Sequence, residues 1–104
     1  MQVPLQIVFR DIERSEALEA RIRAEAEKLE RFNSRITSGR ITIEEAHRHQ
    51  NQGRQFSVNV DVRIPGRRQV VATSRHEDVY VAVRDAFDAA RRQVDEVSKQ
   101  DEPG

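Results

Sequence analysis

Two histidines and a large set of arginines are the side chains whose type and spacing could do chemistry in this chain of 104 residues. His47 and His49 lie two apart in the run His47-Arg48-His49. In an extended segment that spacing turns both imidazoles to one side, where they could share a metal ion. Protein metal sites take three or more ligands as a rule. The sequence has no cysteine, and no third ligand accompanies the pair. Two exposed loop histidines are therefore expected, with no metal and no cofactor; metal sensing through His47 and His49 is the weakest alternative. Enzyme motifs are missing as well. There is no G-x-S-x-G, no Walker loop and no H-E-x-x-H. Gly39, Gly53, Gly66 and Gly104 are scattered as turn or tail residues. No catalytic residue and no small-molecule substrate are expected.

The basic residues are 18 in number, balanced by 18 acidic ones. A neutral chain does not hold nucleic acid by bulk charge. Its charge is uneven, however: −1 over 1–34, +5 over 35–75 and −4 from Glu77 onward. Lys appears only at 28 and 99, so 16 of the 18 cations are Arg, the side chain suited to bidentate contact with phosphate or carboxylate. A GC-rich genome would enrich Arg without any such contact.

Helical periodicity sorts some of these cations. In the segment after Ser15, Arg21, Lys28 and Arg31 fall on one flank among Ala17, Ala20 and Ala24, with Glu19 and Glu30 opposite and Glu16 and Glu27 near the back. A basic stripe bordered by small alanines lets a phosphate backbone approach closely. A plain solvated helix with Glu27 and Arg31 paired at i,i+4 is the alternative. In the last helical segment the cations are Arg84, Arg91 and Arg92, and Asp88 and Asp95 stand at i,i+4 spacings that would blunt them. Tyr80 lies at the margin of that helix's buried face. One tyrosine is a poor stacking platform for single strands, so recognition of exposed bases is not expected, while recognition of folded RNA by shape and phosphate stays open.

The elements that position these residues follow from hydrophobic period. Gln2–Arg10 alternates as a strand, with Pro4 marking an edge or a beginning. Ser15–Asn33 is a helix capped by Ser15, with Leu18, Ile22, Glu25, Leu29 and Phe32 on one face. Ile36–Glu45 and Gln55–Ile64 alternate as strands, joined by a polar loop over 46–54. In the latter strand Phe56, Val58, Val60, Val62 and Ile64 are buried, and Gln55, Ser57, Asn59, Asp61 and Arg63 are wet. Pro65-Gly66 turns the chain into a returning strand, Arg67–Thr73. Ser74 and Glu77 form a capping box for a helix that buries Val79, Val83, Phe87, Ala90, Val94 and Val97. The expected fold is α+β, in the order β-α-β-β-β-α. A parallel first pair followed by a meander makes a four-stranded mixed sheet, with two helices packed on one face and a polar opposite face. One domain over 1–99 and a flexible tail over 100–104 are expected. No apolar run approaches the roughly 20 residues of a bilayer span, and no signal peptide is visible, so the expected setting is cytoplasmic and without membrane.

Lys28-Leu29-Glu30-Arg31-Phe32, Ile36, and His76-Glu77-Asp78-Val79-Tyr80 followed by Ala82, Asp88 and Arg92-Gln93-Val94 resemble the ribosome hibernation-promoting factor and ribosome-associated inhibitor group, also called sigma-54 modulation proteins, in a short and divergent form. The resemblance runs from about Gln2 to Lys99. It implies docking on the small ribosomal subunit, in the channel used by mRNA and tRNA, with helix cations on ribosomal RNA phosphates and translation blocked while the ribosome is idle, under stress or in stationary phase. Lys28, Arg31 and Arg92 match basic positions of the family. Arg21, Arg84 and Arg91 are added from the helical geometry. Ala89, Asp95 and Glu96 stand where family members carry lysines, and the dimerising domain of the long forms is not part of this sequence. The partner implied is ribosomal RNA of the small subunit, with the protein itself a monomer or weak dimer. The competing reading is a stress-response protein-interaction module that acts without RNA.

Overall fold

The computed structural model describes residues 4–46, 53–66 and 69–101. The His47-Arg48-His49 run, Gln2, Arg67, Arg68 and the last three residues lie outside them. Six elements follow in the expected order: β1 (Leu5–Arg10), α1 (Glu16–Phe32), β2 (Ser38–Ala46), β3 (Gln55–Arg63), β4 (Val70–His76) and α2 (Val79–Asp101). The sheet order is β1-β2-β3-β4. β1 and β2 are parallel across α1, and β2, β3 and β4 form an antiparallel meander. Pro4 therefore does precede an edge strand.

Register divides the sheet into two unlike faces. Ile7 pairs with Ile41, Ile41 with Val60 and Val60 with Ala72; one row along, Phe9 pairs with Ile43 and Ile43 with Val58. These side chains form the core with Leu18, Ile22, Ala26 and Leu29 of α1 and Val83, Ala86, Phe87, Ala90 and Val94 of α2. Both helices thus cover one face. The strict alternation in β3 makes this possible, because a period of two sends every second side chain to the same side. Ile36 and Ile64, just outside β2 and β3, close the same core. Gly66 carries φ 73°, the left-handed conformation that a Pro-Gly turn requires.

Three expectations are corrected. The fourth strand extends through Ser74, Arg75 and His76, so no capping box forms at Ser74. Backbone pairing with Phe56, Ser57 and Val58 holds these residues extended, and this ladder outweighs a local cap. Asp78 caps α2 instead. Its Oδ1 accepts from the Tyr80 amide at 2.9 Å, and its carbonyl accepts from the Ala82 amide at 3.0 Å. His76 Nδ1 in turn accepts from the Asp78 amide at 2.9 Å. In α1 the fourth core residue is Ala26, while Phe32, expected inside, is 48% exposed. Phe32 is the last helical residue and lies toward the edge of the buried stripe. Finally, α2 runs to Asp101, two residues into the expected tail. The cap of α1 is as expected: Ser15 Oγ accepts from the Leu18 amide at 3.2 Å, satisfying one of the orphan donors at the helix start.

Candidate nucleic-acid interface

The strand directions settle how the two helices run. β1, β2 and β4 point one way, and each helix returns against the strand before it, so α1 and α2 are parallel neighbours on one sheet face. Their seam opens into a small cleft of about 120 Å³ lined by Glu25, Lys28, Leu29 and Phe32 from α1 and Phe87, Asp88 and Arg91 from α2. Buried Leu29 and Phe87 form its floor. Lys28 and Arg91 bring one cation from each helix to its rim. Seven residues earlier on each helix stand Arg21 and Arg84. Seven residues are close to two full turns, about 10.5 Å of rise, so this second pair repeats the first along the same seam. Four of the six expected cations thereby flank one groove. Arg31 and Arg92 fall opposite the buried stripes of their helices, turned to solvent.

Carboxylates share the groove. Glu25 Oε2 lies 3.6 Å from Arg21 Nε and 3.4 Å from Lys28 Nζ. Arg84 Nε is 3.3 Å from Asp85 Oδ1, and Arg91 Nη2 is 3.9 Å from Asp88 Oδ1. The i,i+4 partners expected in α2 are thus replaced by nearer ones, and Asp95 pairs with Lys99 at 3.2 Å. Among the described residues Arg31 and Arg92 show no carboxylate contact of the kind that holds Arg21, Lys28, Arg84 and Arg91. Exposed pairs of this kind are worth only about 0.2–1 kcal/mol each. They hold the cations in place but do not neutralise them against a polyanion, whose phosphates compete for the same donors.

Two features escape one-dimensional reading. Phe32 and Tyr80, 48% and 40% exposed, give the helical layer an aromatic component that a buried assignment for Phe32 conceals. The uncovered sheet face gathers Arg10, Arg40, Arg63 and Arg75 from four different strands, all exposed. Strand alternation is the signal that could have found them, once the strands are placed side by side.

The sequence matches the family described as sigma 54 modulation protein / S30EA ribosomal protein over residues 5–101. The chain belongs to that family. The S30EA family is a ribosome-associated one and is generally not enzymatic. A comparison with curated proteins found no match. Among solved structures, the fold is similar to a ribosomal subunit interface protein from Coxiella burnetii, with a TM-score of 0.79, 15% identity, and 93% of this chain and 99% of that one covered. It is also similar to the N-terminal domain of Protein Y from Thermus thermophilus, with a TM-score of 0.69, 18% identity, and the same coverage of 93% and 99%. At these identities the likeness establishes the fold alone. Among the described residues, no helix is long and apolar enough to cross a membrane.

Proposed function

We propose that this chain binds the small ribosomal subunit through ribosomal RNA phosphates and obstructs the channel for mRNA and tRNA when translation is idle, as in stress or stationary phase. The observation that carries this reading is the seam between two parallel helices, flanked by Lys28 and Arg91 and again by Arg21 and Arg84. Family membership supports the ribosomal setting, and the solved relatives of the same fold include one named for the subunit interface. The mechanism is steric and electrostatic. Guanidinium and ammonium groups on a rigid two-layer fold hold phosphates, and the bulk of the domain excludes other ligands.

A salt titration of binding to purified small subunits tests the mechanism. Each neutralised phosphate contributes about 0.7–0.9 to the log-log slope. Engagement of Arg21, Lys28, Arg31, Arg84, Arg91 and Arg92 together therefore gives a slope of about −4 to −5. A flat salt dependence removes the phosphate mechanism. The pairing of seam cations with carboxylates and the exposed Phe32 favour a second reading, a protein-interaction surface. Recovery of one protein partner after nuclease treatment, with no ribosomal RNA retained, is the result that selects it.

A further inference from the structure

The sheet face left bare by the helices is the other extended surface of the molecule. Register arranges it in rows across the strands. One row holds Gln6, Arg40, Asp61 and Val71, the next Val8, Thr42, Asn59 and Thr73, and the next Arg10, Glu44, Ser57 and Arg75. Arg63 stands opposite Ser38 beyond the first row. A shallow groove of about 350 Å³ runs over the middle rows, lined by Arg10, Arg40, Thr42, Asn59, Asp61 and Thr73 among others. Four arginines and two carboxylates leave this face with a charge of +2, although the whole chain is neutral.

The arginines here differ from those of the helices. Glu44 faces Arg10 across the ladder and Asp61 faces Arg40, yet none of the four arginines makes an ion pair with a described residue. Asp61 Oδ1 accepts from Gln69 Nε2 at 2.5 Å instead. Between the cationic rows lie neutral donors and acceptors, with Asn59 Nδ2 donating to Thr73 Oγ1 at 2.8 Å. Unpaired guanidinium groups beside amides and hydroxyls are the donor set that takes phosphate and sugar oxygens. Among the described residues the face carries no aromatic side chain, and its apolar members are Val8, Ala46 and Val71. It thus lacks both the apolar centre of a protein interface and the stacking platform of a single-strand binder. Folded RNA, recognised through its backbone and 2′-hydroxyls, fits what remains.

We infer that the open sheet face, through Arg10, Arg40, Arg63 and Arg75, is a second RNA-backbone surface, so that the domain is gripped by folded RNA on both sides. This rests on the ribosomal reading above and extends it to the side away from the helices. The molecule measures 52 × 26 × 18 Å. A slab so thin presents its two broad faces back to back, and RNA can contact both at once.

The test compares three proteins for binding to purified small subunits over a range of salt: the unaltered chain, a seam variant (Lys28→Gln with Arg91→Gln), and a sheet variant (Arg10→Gln, Arg40→Gln, Arg63→Gln and Arg75→Gln). All the substituted side chains are exposed, and circular dichroism verifies that each variant is folded. The expected result is that the sheet variant binds at least about tenfold more weakly, with a slope shallower by about 2 to 4, while the seam variant shows its own separate loss. In the opposite sense, Glu44→Gln should tighten binding by about two- to fivefold, because it removes a negative charge from the face. Unaltered binding and slope in the sheet variant, with the unaltered chain and seam variant behaving as above, overturn the second surface and leave the ribosomal reading standing. No binding by the unaltered chain overturns both. If the sheet variant instead loses a nuclease-resistant protein partner, the face serves protein and the inference is wrong.

Discussion

Glu25 is placed to restrain two cations at once, since Arg21 and Lys28 both approach its Oε2. An isosteric Glu25→Gln substitution releases both toward a polyanion. It should raise affinity for small subunits by about two- to fivefold at low salt, the equivalent of one or two exposed ion pairs. Titration of binding at several salt concentrations measures this, and the gain should fade as salt rises. Phe32 makes a different case. Half exposed at the end of α1, it contributes little to the core, so Phe32→Ala should cost less than about 1 kcal/mol of stability. Leu29→Ala, one turn earlier and buried, should cost about 2–5 kcal/mol. Denaturant unfolding separates the two. If Phe32→Ala proves the more damaging, Phe32 belongs to the core after all.

The two helices are set by caps of different kinds. Ser15 satisfies the Leu18 amide, and Asp78 satisfies the Tyr80 amide from the loop after β4. Replacing either with Ala should lower stability by about 1 kcal/mol, or about 4–8 °C in melting temperature for a domain near this size. Ser74→Ala should change the melting temperature by much less, since Ser74 is a strand residue opposite Val58. A loss at Ser74 equal to that at Asp78 would restore the capping box. The sheet depends on its central strands. Ile43 is fully buried between Phe9 and Val58, and Ile43→Ala should cost about 2–5 kcal/mol. That is a large part of the 5–15 kcal/mol available to a small domain.

The protein as a whole is neutral, so the proposed binding to RNA cannot rest on long-range attraction. On that proposal, affinity comes from local surfaces where cations converge. Its core is a single layer of side chains between one sheet face and two helices. Loss of either helix uncovers the sheet, and unfolding should therefore be one cooperative transition in which circular dichroism and a core probe coincide. Two separate transitions would contradict the single core.

Most of the fold is legible in hydrophobic period. Val58, Val60 and Val62 alternate without interruption, and Leu18, Ile22 and Leu29 recur at helical spacing; burial rewards these patterns, so they survive into the structure. The cap at Ser15 is legible for the same local reason. Ser74 misled because a capping pattern is local, whereas the strand pairing that overrides it comes from Val58 and its neighbours, 16 residues earlier in the chain. The cations were legible in number and in helical phase, but not in company. Whether Lys28 meets Arg91, and whether Arg10, Arg40, Arg63 and Arg75 share a face, depends on which strands and helices lie side by side. Surface charges bring too little energy to determine that choice. The buried side chains make it, and the polar groups are carried wherever the packing of the core puts them.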